Sequence, residues 1–253
     1  EIIFNNLASS LEMPDPEHLE FIFTLRPGVM THPGDYPGAD EEITSEDVRQ
    51  SLLRRGSSIT ATDKRFPFKI AGSRDKAALD AALQAPDRYT FRFKMAEPWL
   101  PAIQEMAHPS WAIVPAKVID EYKLGLSQKA HGSGPFMIEE LRGNETVVLR
   151  RHPNYFHKGC PHLETITYLI ITDNEQLLAA FESGAHDVNG ATLTKQWYEE
   201  HKDDPRFFTS RAADLTTPVV QFKVTKPPFD DPNVMEAIDL SLDRDDFLNT
   251  LLA

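Results

Sequence analysis

Only one cysteine, Cys160, occurs in the 253 residues, so no disulfide framework can staple the chain. Long hydrophobic runs are missing too. The longest, around Tyr168–Ile171, is strand-sized and far below the ~20 apolar residues of a membrane-spanning helix. Positive charge is scarce: 26 Lys and Arg stand against 39 Asp and Glu, a net charge of −13. Such a chain repels nucleic-acid phosphates, which argues against a DNA- or RNA-binding protein. The basic pairs Arg54-Arg55 and Arg150-Arg151 read as solvated faces and not as a binding stripe. Internal repeats and low-complexity tracts are absent. So are a starting Met and a visible signal peptide. The chain begins Glu1-Ile2-Ile3-Phe4 and ends Leu251-Leu252-Ala253 within an apolar helical pattern. The expectation is a piece of a longer protein, cut at both ends, in which a missing targeting segment decides nothing.

What remains is an ordinary globular composition, 41% hydrophobic with a mean hydropathy of −0.39, enough for one large domain or two small ones. Leu19–Arg26 alternates apolar and polar and predicts a half-buried strand, and Tyr89–Met95 does the same. Thr31–Glu42 is rich in Gly, Pro and acids and reads as an exposed loop. Thr44-Ser45-Glu46-Asp47 resembles a capping box that opens a helix running to Gly56. Further helices are expected at Arg74–Gln84, Trp99–Met106, Ala116–Tyr122, Asn174–Ser183, Lys195–Lys202 and around Val234–Leu242. Strands are expected at Phe136–Leu141, Thr146–Arg150, Thr165–Ile171, His186–Asn189, Phe207–Ser210 and Val219–Val224. The first two of these flank a hairpin loop, Arg142-Gly143-Asn144. Strand, helix and strand between 165 and 189 suggest a βαβ unit and a parallel sheet.

Three chemistries can be weighed on residues alone. His152, His157, Cys160 and His162 are metal-ligand types within eleven residues, which keeps a metal-dependent hydrolase open as an alternative. Pro153 and Pro161 break that run, so convergence is not expected. Ser133 lacks the G-x-S-x-G spacing of a nucleophile elbow. Gly132 and Gly134 could cradle phosphate with backbone N–H groups, but a strand follows them where a helix N-terminus is needed. The three tryptophans Trp99, Trp111 and Trp197 read first as packing, with Trp111 the best placed of the three to reach a cleft.

The stretch 132–189 carries a longer pattern. Gly132-Ser133-Gly134-Pro135-Phe136 is followed by Arg151, Pro153, Asn154, Tyr155, Phe156, Lys158, Gly159, Pro161, Leu163 and Glu164, then by Asp173, Gly184, Asp187 and Val188. Leu25, Arg26, Gly28, Val29, His32 and Gly34, with Thr44, Glu46, Asp47 and Val48, add a second block. Phe229, Asp231, Val234, Ala237, Ile238, Asp243 and Arg244 add a third, with Met235 where Arg is usual. In this order the residues resemble the solute-binding proteins of ABC importers, family 5, which handle peptides, nickel and related solutes. The resemblance implies an α/β fold, periplasmic-binding-protein-like II. It divides the chain into an inserted subdomain of lobe one at 1–131, the core of lobe one at 132–224, and the hinge exit with the start of lobe two at 225–253. It implies a non-catalytic, monomeric binder that captures a peptide-like or similar small polar solute between two lobes outside the cytoplasm. The binder then delivers it to a membrane permease, with no cofactor. A solute-sensing module of a regulator is the other outcome of the same resemblance. By position in the family pattern, Asn189, Gly190 and Ala191 and the hinge strand Val219, Val220 and Gln221 would line the cleft, joined by Trp111.

Overall fold

A computed structural model of the chain describes residues 6–17, 19–57, 69–73, 75–99, 101–123, 131–190, 193–209 and 221–243. The chain falls into two compact units, Glu1–Ile170 and Ile171–Ala253.

The first unit is built on two antiparallel sheets. One has the order β1-β2-β4-β3, with β1 at Ala8–Glu12, β2 at Glu20–Leu25, β3 at Leu83–Gln84 and β4 at Thr90–Lys94. Register places Phe21 opposite Phe93 and Phe23 opposite Phe91, because both strands carry aromatics at every second position. The Phe21 and Phe93 rings stack at 5.1 Å between centroids. Helix α1, Ser45–Ser57, buries Val48, Leu52 and Leu53 on this sheet, the i, i+4 and i+5 face of an amphipathic helix. The backbone N–H and Oγ1 of Thr44 both donate to Asp47 Oδ2, at 2.7 and 2.8 Å. The acidic half of the expected capping box is therefore made. Asp47 Oδ1 also accepts from Ala116 N–H at 2.7 Å, which fixes the start of a helix at Ala116–Tyr122.

The short helix α2, Lys76–Ala82, ends two residues before the expected Gln84, because Leu83 and Gln84 leave it to pair with β4. Helix α3, Ala102–Met106, and a 3-10 turn at Pro109–Trp111 precede α4, Ala116–Tyr122. The second sheet is a meander of β5 (Phe136–Arg142), β6 (Thr146–Arg151) and β7 (Thr165–Leu169). At its first turn Gly143 takes φ +52°, a left-handed conformation that glycine adopts without penalty, and Glu145 N–H donates back to Arg142 O at 3.0 Å.

The second unit holds α5 (Asn174–Glu182), α6 (Lys195–His201) and α7 (Pro232–Ser241). Asp173, Thr194 and Asp231 cap them by accepting from Gln176, Trp197 and Asn233 N–H groups, the local device expected of such residues. Gly184, at φ +76°, ends α5, and Ala185 N–H reaches back to Ala180 O, the Schellman closure. Trp197 is buried, packs with Phe181, His201 and Phe207, and donates from Nε1 to Glu182 Oε1 at 2.6 Å.

Four expectations are corrected. Thr31–Glu42 is not a simple exposed loop: Thr31 and His32 are buried, and Met30 pairs with Glu42 in a β-bridge. His186–Asn189 forms turns and bends instead of a strand, so the βαβ reading lacks its third member and both described sheets are antiparallel. Among the described residues no neighbour offers that segment a ladder, and a strand without a partner is not stable. Residues 207–209 and 221–224 are likewise outside any ladder; the rest of those two expected strands lies outside the described residues. Finally, Arg54 and Arg55 are half-buried, unlike the exposed Arg150 and Arg151.

Candidate functional site

The first unit forms a half-open cavity of about 1050 Å³. Three parts of the chain wall it. The sheet and α1 contribute Phe23, Phe91, Val48 and Leu52; the segment 103–114 contributes Trp111; and β5 and β6 contribute Ile138 and Leu149 beside the Gly132–Pro135 turn. The lining follows from the elements. Alternation on β2 places Phe21, Phe23 and Leu25 on one face, where Phe21 and Leu25 are buried and Phe23 stays partly open, and Val48 and Leu52 share one face of α1.

A pair of buried histidines holds the Gly132–Pro135 turn in place. His32 and His152 meet edge to face, 5.1 Å between ring centroids. His32 Nδ1 accepts from Gly132 N–H at 3.3 Å and its Nε2 lies 3.1 Å from Gly134 O, so the ring is neutral with its proton on Nε2. Its own N–H donates to Gly132 O at 2.8 Å. His152 repeats the scheme, with Nε2 3.1 Å from Met30 O and Nδ1 accepting from Asn154 N–H at 3.3 Å. Burial pushes the His32 imidazole down to about 4, helped by the neighbouring His152 and His131 and opposed by its bond to Gly134. His131 lies flat on Tyr36 at 3.7 Å. Burial raises the phenols of Tyr36 and Tyr155 above their ordinary value.

These bonds bear on the chemistries read from the sequence. The Gly132 N–H is already given to His32, so it is not presented to a phosphate. Neither His32 nitrogen is left to take a proton from Ser133, because each is engaged with backbone. Both nitrogens of His152 are engaged in the same way, while Cys160 is exposed. Among the described residues, no three or more His, Cys, Asp or Glu side chains converge as metal ligands do.

The residues expected at a cleft divide between the units. Trp111 lines the cavity, with its indole buried and Nε1 donating to Glu105 Oε1 at 3.0 Å. Asn189 is half-buried and Gly190 and Gln221 are exposed, all three in the second unit. Ala191, Val219 and Val220 lie outside the described residues. Sequence reasoning missed several other polar members of the cavity, His32, His131 and Arg54 among them. A signal for the first existed: a histidine followed by Pro-Gly after an apolar strand is oddly placed for a solvated loop.

A family model for bacterial extracellular solute-binding proteins, family 5 Middle, matches residues 3–253. The chain belongs to this family. Among curated relatives, the glutathione-binding protein GsiB of Salmonella paratyphi A is 24% identical over 247 residues, covering 95% of this chain and 44% of the relative. The periplasmic oligopeptide-binding protein OppA of Salmonella typhimurium is 27% identical over 182 residues, 71% of this chain and 33% of the relative. A crystal structure of Haemophilus influenzae OppA in complex with RPPGFSPFR superposes with a TM-score of 0.75 at 20% identity. It covers 96% of this chain and 48% of that one. The chain thus spans less than half the length of the binding proteins it matches, and its fold is the α/β fold of periplasmic-binding-protein-like II. In this family-5 chain the G-S-G-P turn is the piece that the histidine pair grips and that closes one side of the cavity.

Proposed function

We infer that the chain is part of the solute-binding component of an ABC importer. It takes up a peptide or similar small polar solute between two lobes and hands it to a membrane permease, without catalysing a reaction. The observation that carries this reading is the preformed, mostly apolar cavity in a family-5 chain. Concave sites of about this size, with few polar groups, are where proteins hold small ligands. The named ligands of relatives, glutathione and oligopeptides, support a peptide. The division into an inserted subdomain (1–131), a core of lobe one (132–224) and the start of lobe two (225–253) belongs to this proposal. So do monomeric working and a place outside the cytoplasm, where OppA is named as residing. No described helix is long and apolar enough to cross a membrane.

Trp111, Asn189, Gly190, Ala191, Val219, Val220 and Gln221 are assigned to the solute in this proposal. Ligand contacts to both lobes would favour the closed state and so couple binding to hinge closure. Because the chain covers 44% of its relative, it supplies only part of such a site. Titration calorimetry with di- to hexapeptides tests this. The full-length protein is expected to bind at least one peptide class at micromolar affinity, and this chain alone at least tenfold more weakly. Equal affinity would place the whole site within these residues, and no peptide bound by the full-length protein would overturn the assignment.

A further inference from the structure

The charge inside the cavity runs opposite to that of the chain. The chain carries 39 acidic and 26 basic side chains. Among the described residues that line the cavity there is no Asp, Glu or Lys, and one Arg, Arg54. Arg54 lies in the last turn of α1 and is half-buried. Its Nε is shielded from solvent without a hydrogen-bond partner, and no described carboxylate is in ion-pair range of the guanidinium. Burial, and then the adjacent charge of Arg55, lower its pKa. A guanidinium partly withdrawn from water is costly unless an anion meets it, and none of the described carboxylates is placed there. Two other polar groups of the lining are already engaged: His32 bonds to Gly132 and Gly134, and Trp111 to Glu105.

We propose that the cavity takes an apolar solute carrying one carboxylate, with the carboxylate paired to Arg54 and the apolar body against the Phe23, Ile103 and Met106 wall. The planar guanidinium suits a carboxylate because two parallel N–H groups meet its two oxygens. The proposal rests on the reading of this cavity as a solute site and adds the charge and polarity of what enters it. A short apolar peptide with a free C-terminus and a fatty carboxylate share that chemistry, and the test separates them.

Two fluorescent dyes of similar size probe the complete chain: the anion 8-anilinonaphthalene-1-sulfonate and the uncharged N-phenyl-1-naphthylamine. Both are expected to bind the wild type. Arg54→Gln is expected to weaken the anion about tenfold and leave the neutral dye unchanged. Arg54→Lys should keep most of the anion affinity, and Arg55→Gln should keep all of it. Trileucine should displace the anion at about tenfold lower concentration than trileucine amide. Displacement by decanoate but not by trileucine would uphold the carboxylate pairing and remove the peptide. Equal anion binding by wild type and Arg54→Gln would overturn the proposal while leaving the cavity as a solute site. So would equal loss of both dyes by Arg54→Gln with an unchanged circular dichroism spectrum, which would mark Arg54 as structural. Binding of neither dye by the wild type would sink the cavity reading itself and this proposal with it.

Discussion

His32 shows how one side chain ties distant segments together. Its ring is buried and bonded to Gly132 and Gly134, a hundred residues away, and this works only for the neutral imidazole. A protonated ring has two N–H groups, so Nδ1 would face the Gly132 N–H as one donor against another. Among the described residues no carboxylate compensates: the titratable groups acting on the ring are His152 and His131, and the contact from its own loop is the Tyr36 hydroxyl to the His32 carbonyl. With a folded pKa near 4 against 6.5 in the unfolded chain, the unfolded state holds more protons between those values. Stability therefore falls as pH drops from about 6.5 to 4, by on the order of 3 kcal/mol at most, and this contribution is flat above pH 7. Thermal melting of wild type and His32→Gln across pH 4–8 checks it. The variant should be less stable at pH 7 yet lose less on acidification. Parallel pH profiles would show that His32 does not carry the acid sensitivity.

At the scale of elements, α1 is the joint of the first unit. Its apolar face packs on the four-stranded sheet, its N-terminus is closed by Asp47, and the same carboxylate receives the Ala116 N–H at the start of α4. Asp47 thus satisfies donors of two elements at once. Removing it leaves the Thr44 and Ala116 amides without their acceptor, so Asp47→Ala should cost about 2 kcal/mol, above the roughly 1 kcal/mol typical of a cap alone. Chemical denaturation of the two proteins measures this, and Asp47→Asn should recover part of the loss. A cost below about 0.5 kcal/mol would mean that water replaces the carboxylate at both ends. The local part of this arrangement was readable, since Thr44 and Asp47 stand at capping-box spacing. The link to Ala116 was not, because nothing in either segment refers to the other.

On the scale of the whole molecule, net charge sets solubility. At pH 7 a charge of −13 keeps copies apart, and this repulsion vanishes near the isoelectric point of about 5.1. Exposed apolar side chains on and after the second sheet, Leu163, Tyr168, Leu169 and Ile170, then attract without opposition. Light scattering of the chain should peak near pH 5 and be low at pH 7.5. A clear solution across that range would show that these side chains are too dispersed to drive association.

The sequence by itself determined what local rules can reach. Period-two aromatics specified β2 and β4, since alternating side chains of a strand face opposite ways whatever the rest of the chain does. The stretch Ala116–Tyr122 was read as the helix that forms, and the ordered residues from Gly132 to Val188 named the family. The tertiary structure alone decided the rest. It buried Thr31 and His32 in a segment whose composition reads as solvated, because hydrogen bonds to Gly38 and to the Gly132–Pro135 turn satisfy their polar atoms. It turned Leu83 and Gln84 out of a helix because β4 offers them a ladder. It left His186–Asn189 without a strand because no described neighbour pairs with it. It also drew Arg54 to the wall of a cavity that no described carboxylate lines. In each case the deciding partner lies beyond the turn-to-turn spacing that local patterns read, and a pattern read along the sequence carries only what immediate neighbours impose.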